Sequence, residues 1–153
     1  MDEWLEISRN LVFPWHCDHF GHMNVRWYAH FFDDASFLIW ATIGLDMRTI
    51  LATGIHTVIA RSTTQYHHEV RAGEPVLMVG GFTRIGKKSL TLRTNMLDAN
   101  TRELRASNEY IVVFFNAETR RSADIPDDVR HAVEQTLIEI PNLESGSPTT
   151  EKN

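Results

Sequence analysis

The stretch from Val25 to Thr42 contains neither proline nor glycine, and it constrains the fold more than any other part of the chain. Apolar residues recur along it at helical spacing, through Val25, Tyr28, Ala29, Phe32, Ala35 and Ile39. Phe31, Phe37, Leu38 and Trp40 lie off that stripe. A helix so apolar on several sides is expected to be buried on more than one of them. Gly44 is placed to end it. After it the period changes. Ile55–Tyr66, Pro75–Ile85, Ser89–Asp98 and Leu104–Asn116 read as strands, with turns at 85–88 and 98–101. From Asn108 to Phe115 the last of them becomes almost wholly apolar, as a central strand would. Strands following one another through tight turns, with helix on one face, predict an α+β fold: an antiparallel sheet wrapped around one long buried helix.

The flanks complete the outline. Trp4–Phe13 reads as a first strand stopped by Pro14, and Asp46–Leu51 as a short helix ended by Gly54. Pro126 suits the first position of a last helix, and Asp127 and Asp128 suit its positive end. Residues 1–140 are expected to form a single domain, and the polar tail 141–153 to be disordered. With 153 residues, such a chain can bury about two-thirds of its surface without staples. The one cysteine, Cys17, excludes an internal disulfide framework and fits a reducing compartment. No apolar run is long enough for a membrane span, and Met1-Asp2-Glu3-Trp4 is acidic where a signal peptide would be basic. A soluble, cytoplasmic protein is expected. The net charge of −5 hides a basic middle, since residues 61–121 hold ten Lys/Arg against six Asp/Glu. Such a region can hold a small anion without general affinity for nucleic acid, so neither nucleic acid nor membrane is an expected partner.

The densest set of reactive groups is the loop Pro14-Trp15-His16-Cys17-Asp18-His19-Phe20-Gly21-His22-Met23-Asn24, directly ahead of the long helix. The pattern Asp18-x-x-Gly21-His22-x-Asn24, followed by Tyr28 and Phe32, resembles the signature of hotdog-fold acyl-CoA thioesterases of the 4-hydroxybenzoyl-CoA thioesterase type. The resemblance runs over about residues 4–130 and takes in Arg71-Ala72-Gly73-Glu74, Gly86-Lys87-Lys88-Ser89 and the stretch from Thr119-Arg120 to Ile125-Pro126. Within the family, the string from Pro14 to Tyr28 is most similar to betainyl-CoA thioesterases. Departures exist. Val25 stands where relatives often have a second asparagine, and Asp33-Asp34-Ala35-Ser36 where many have an acid-x-Ala-Arg run. Pro14 and Val25 occupy the tyrosine and histidine positions of one branch, so that dyad is absent.

The resemblance implies an acyl-CoA substrate, no cofactor and no metal, and a homodimer or homotetramer with sites at the shared interface. It makes Asp18 the nucleophile or general base, and the Val25 backbone N–H the group that polarises the carbonyl. A helix starting near Asn24 supplies such unpaired N–H groups and a positive dipole end. Gly21 lets the backbone approach the substrate, and His22 and Asn24 orient the loop or a water. Trp15 and Trp27 are, as aromatic residues of this region, the candidates for contact with the acyl group. Lys87 and Lys88, with Arg120 and Arg121 behind them, are the candidates for the CoA phosphates. His56, Thr63, Thr64 or Tyr66 of a second chain are candidates to complete the pocket.

Other readings of the same residues stay open at this point. Asp18 can be a turn residue or cap, and lysines at a hairpin are exposed by default. His16, Cys17, His19 and His22, with His56, His67 or His68, invite a zinc site. Cys17 beside His16 can be a nucleophile. Trp15, Trp27, Tyr28 and Trp40 can form a cage for a quaternary ammonium group, or be core. A hydratase or dehydratase on the same fold, and a non-catalytic acyl-CoA-binding module, are the alternative functions.

Overall fold

The computed structural model describes residues 4–139. In chain order it contains β1 (Leu5–Leu11), a 3-10 turn (Pro14–His16), α1 (Val25–Thr42), α2 (Met47–Ala52), β2 (Ile55–Tyr66), β3 (Pro75–Ile85), β4 (Ser89–Asp98), β5 (Leu104–Asn116), the two-residue β6 (Arg121–Ser122) and α3 (Asp127–Glu134). The expectation for the tail 141–153 lies outside the described residues. No helix among those described is long and apolar enough to cross a membrane. Pro126 takes the position just before α3 rather than its first turn, and Asp127 and Asp128 stand at the helix start as expected.

All strand pairs are antiparallel, in the order β1-β3-β4-β5-β2, with β6 beside β5. One expectation is corrected here. β2 does not neighbour β3; it lies at the far edge against β5, from Ile55 opposite Asn116 to Tyr66 opposite Ala106. Residues 67–74 are too many for a tight turn, and they cross the end of the sheet to reach β3. The crossing segment is anchored at each stage. The His67 and His68 N–H groups donate to the Arg105 carbonyl, Met23 N–H to the Val70 carbonyl, and Gly73 N–H to the Val12 carbonyl. It therefore lies against the loop that precedes α1.

α1 lies on one face of the sheet. Its buried residues are Tyr28, Phe31, Phe32, Ala35, Ser36, Ile39 and Trp40, a single stripe at three- and four-residue spacing. They pack on Val76, Met78, Phe82, Leu90, Leu92, Met96, Tyr110, Val112 and Phe114. Each large side chain removed from water there contributes about 1.5–3 kcal/mol before entropy is counted. The expectation of burial on several sides is not met within one chain. Val25, Phe37 and Leu38 are exposed, because a single sheet can cover only one side of a cylinder.

Two glycines let the layers close. A Cβ on Gly80 would lie 2.8 Å from Ile7 Cδ1 and Thr94 Cγ2, and 2.9 Å from the Arg93 carbonyl oxygen. A Cβ on Gly81 would meet Ile138 at 2.8 Å on the opposite face. There Ile138 N–H donates to the Phe82 carbonyl, so the segment after α3 continues the sheet where β1 has ended. The β4–β5 turn is held by Asp98, whose carboxylate accepts from the Asn100 and Thr101 N–H groups and from Arg105 Nη2 at 2.9 Å. These donors, the Thr101 amide first, hold the Asp98 pKa down at about 2.

Candidate active site

The loop between β1 and α1 is folded by its own side chains. Pro14 opens the 3-10 turn, and His16 closes it: Phe13 N–H donates to His16 Nδ1 at 2.9 Å. His16 is buried, its ring set edge-on against Trp27 at 4.6 Å and Phe31 at 5.3 Å. Beyond Cys17 the chain reverses. Asp18 N–H donates to the His22 carbonyl, Gly21 N–H donates to the Asp18 carbonyl, and Cys17 bridges to Met23. Gly21 has φ +82°, a left-handed conformation that side chains resist, so glycine is needed for this reversal.

Asn24 then does three things at once. Its Oδ1 accepts from Arg26 N–H and caps α1, its Nδ2 donates to Asp18 Oδ2 at 3.1 Å, and its own N–H donates to the His16 carbonyl. The second oxygen of Asp18 accepts from Phe20 N–H at 2.9 Å. The Phe20 amide first, and Asn24 after it, push the Asp18 pKa below its ordinary 3.8, so the group is a carboxylate at neutral pH. The turn-residue reading and the catalytic one are thus compatible: the bonds that fold the turn also hold the charge in place.

At the helix start, Arg26 N–H goes to Asn24 Oδ1 and Trp27 N–H to the Asn24 carbonyl. Val25 N–H has no acceptor among the described residues, and Val25 is exposed. It faces a hollow of about 340 Å³ whose walls include His22, Tyr28, Tyr66, His67 and Glu69. An ionised carboxylate and a free backbone donor at a helix's positive end are thereby joined through one asparagine. The arrangement can deliver an oxygen nucleophile to a carbonyl and stabilise the resulting oxyanion.

The expected site residues separate into groups. Asp18, Gly21, Asn24 and Val25 form one unit. His22 is beside it but turned to the crossing segment, with Nε2 2.7 Å from Glu69 Oε2, and Glu69 Oε1 in turn takes Arg71 Nη2 at 2.7 Å. Trp15 and Trp27 lie together on the other flank of α1, around His16. Tyr66, expected from a second chain, lines the hollow in the same chain as Val25. Lys87 and Lys88 do not join the site within one chain. Their hairpin is at the end of the sheet where Trp40 packs on Phe82, about 24 Å along α1 from the cap. Lys88 Nζ donates to the Ser122 carbonyl and hydroxyl, and Lys87 stands 3.5 Å from Asp124.

Three further readings meet the geometry as follows. Among the described residues no three His, Cys, Asp or Glu side chains gather closely enough to hold a metal ion. His16 spends Nδ1 on the Phe13 amide, so it does not serve Cys17 as a base through that nitrogen. The four candidate cage residues do not converge: Tyr28 packs on Tyr66, and Trp40 on Phe82 and Phe114, away from the His16 cluster. Glu69 is the neighbour of the site that residue patterns did not single out, and His16, read from them as a metal ligand or a partner of Cys17, acts instead as the clasp of the 3-10 turn. A histidine three residues after Phe13 is at capping-box spacing, a usable signal for that role. Glu69 comes from across the sheet, and only tertiary structure brings it in.

A family model described as the thioesterase-like superfamily matches residues 12–133. No curated protein matches the chain by sequence. Among solved structures, a hypothetical protein from Staphylococcus aureus in complex with CoA superposes with a TM-score of 0.81 at 19% identity, over 91% of each chain. A 1,4-dihydroxy-2-naphthoyl-CoA thioesterase from Synechocystis gives 0.74 at 14% identity, over 82% of this chain and 93% of that one. A probable thioesterase from Escherichia coli gives 0.75 at 16%, over 88% of this chain and 100% of that one. At these identities the likeness shows the fold, which is the hotdog arrangement of a curled antiparallel sheet around a helix.

Proposed function

The chain belongs to the thioesterase-like superfamily, and from that premise we propose that it hydrolyses an acyl-CoA to the free acid and CoA, with Asp18 as the catalytic carboxylate. The observation that carries this reading is the Asp18–Asn24–Val25 unit: an ionised carboxylate hydrogen-bonded to the residue that caps α1, next to a free N–H. Asp18 attacks the thioester carbon directly, or takes the proton of a water that does so. Negative charge then gathers on the carbonyl oxygen, where the Val25 N–H and the helix dipole receive it. Collapse of that oxyanion breaks the C–S bond, and the sulfur leaves as thiolate and takes up a proton. The water route gives the free acid at once, whereas direct attack leaves a mixed anhydride on Asp18 that a water then hydrolyses to the free acid, restoring the carboxylate. CoA as the carrier is supported by the structural relative that binds it. The acyl group is proposed to lie in the hollow beside Val25; the betainyl group suggested by the loop motif is one member of the panel below.

The site is proposed to be completed in a homodimer or larger homo-oligomer. β2 is a twelve-residue edge strand with Val58 and Ile59 exposed, a surface suited to a second copy. A partner is also what would bring Lys87 and Lys88 to a CoA phosphate.

The test is thiol release over benzoyl-, betainyl-, short-chain and long-chain acyl-CoAs, with wild type and Asp18→Asn side by side. Asp18→Asn is expected to fold and to lower turnover by about 100-fold or more. Undiminished turnover in that variant removes Asp18 from the mechanism. A folded wild type that binds acyl-CoA and releases no thiol is the binding module of the second reading.

A further inference from the structure

The hollow beside Val25 has a definite far wall. Tyr66 is the last residue of β2, on the helix-facing side of the sheet opposite Ala106. Its ring meets the Tyr28 ring edge-on, with centroids 5.1 Å apart and planes at 82°. Tyr28 is itself fixed by burial in the core. Tyr28 lies one helical turn from Val25, so the aromatic pair stands only about 5 Å along α1 from the free N–H.

What lies past the pair is not a bed for hydrocarbon. The next residues on that side of β2 are Thr64 and Ser62, whose hydroxyls accept from Asn108 Nδ2 at 2.8 and 3.0 Å. Tyr110, paired with Ser62 across the ladder, adds a phenol on the same side. Beneath them Asn108 Oδ1 and Thr94 Oγ1 are buried with no partner. An alkyl chain laid along this row would strip water from hydroxyls while offering them no hydrogen bond, which is unfavourable. Apolar lining returns only further on, at Ile59, Phe37 and Trp40.

We propose that Tyr66, closed against Tyr28 above the polar row of Ser62, Thr64 and Asn108, makes the site selective for short acyl groups over long alkyl chains. This inference rests on the thioester-hydrolase reading and names its substrate class. Tyr66 is the specificity-determining residue because it is the exposed half of the wall.

The experiment measures kcat/KM for acetyl-, butanoyl-, octanoyl-, dodecanoyl- and hexadecanoyl-CoA with wild type, Tyr66→Phe and Tyr66→Ala. Wild type is expected to favour the short thioesters over dodecanoyl by about tenfold or more. Tyr66→Phe keeps the ring and should keep that ratio, whereas Tyr66→Ala should raise the long-to-short ratio by about tenfold. Hydrolysis by wild type that is equal across lengths, or best with the long chains, overturns the gate and leaves the hydrolase reading standing. An unchanged ratio in Tyr66→Ala overturns the role of Tyr66 in the same way. No thiol release from any of the five by folded protein overturns the preference for short acyl groups, and the hydrolase reading falls with it only if benzoyl- and betainyl-CoA are left intact as well.

Discussion

His16 shows how one side chain can set the geometry of a site it does not enter. Its Nδ1 accepts a backbone hydrogen bond, which only an imidazole unprotonated at that nitrogen can do. Burial first, and His30 second, hold its pKa below the ordinary 6.5. A depressed folded pKa means that the stabilisation is complete above 6.5 and is lost as pH falls through the lowered value. Melting temperature should therefore drop between about pH 7 and pH 5 in wild type. In His16→Asn, where Oδ1 can take the Phe13 amide without titrating, the curve should be lower but flatter over that range. A wild-type curve with no fall there would remove the proposed protonation. Asn24 is the opposite case, a residue in direct contact with the Asp18 carboxylate proposed to be catalytic. Asn24→Ala takes away the α1 cap, at about 1 kcal/mol, together with the donor that holds Asp18. Both denaturation midpoint and turnover should fall, and a variant that lost only stability would leave Asp18 positioned by Phe20 alone.

At the scale of elements, the sheet's closeness to its neighbours depends on where it lacks side chains. Gly80 pairs with Leu5 and Thr94 in the middle of β3, and a methyl group there has nowhere to go. The nearest obstacles include the Arg93 backbone, which cannot swing aside. Gly80→Ala should destabilise the fold by about 1–3 kcal/mol, read from the urea midpoint. Wild-type stability in that variant would mean that Ile7 and Thr94 repack freely. The same accounting explains α1. Its periodicity predicted the helix from Val25 to Thr42, and its ends agree with the structure. Its choice of buried face was harder to see. Val25 and Ala29 fit a helical stripe by spacing, yet the stripe that packs is rotated toward Phe31 and Trp40, because those larger side chains reach the sheet.

The whole molecule leaves an apolar helix flank and a long strand edge uncovered at once. Phe37 and Leu38 on α1, and Val58 and Ile59 on β2, are all exposed in a single chain. β2 combines length with apolar side chains on both faces, at Val58 and Ile59, although its register shifts between Ile59 and Arg61. Sedimentation of the wild type should give at least twice the chain mass of 17.6 kDa. Val58→Lys/Ile59→Lys should shift it toward monomer and reduce turnover with it. A wild type that sediments as a monomer at full activity would refute completion of the site by a second copy.

Local physics is legible in residue order, and for this protein it went a long way. The strand and helix periods, the turn at Gly86, the helix start near Asn24 and the reactive loop before α1 all follow from interactions within a few residues of one another. The β2–β5 pairing did not follow, because antiparallel ladders look alike from either partner and loop length alone does not say which edge is filled. The site divides along the same line. Asp18, Asn24 and Val25 are neighbours in the chain and could be named from it. Tyr66 and Glu69 reach the hollow only because residues 67–74 cross the end of the sheet. Lys87 and Lys88 leave the neighbourhood of Asp18 for the converse reason, a hairpin carried to the far end of α1 by two long strands. Contacts made through sequence distance are chosen by packing the whole chain at once, and there the tertiary structure decided.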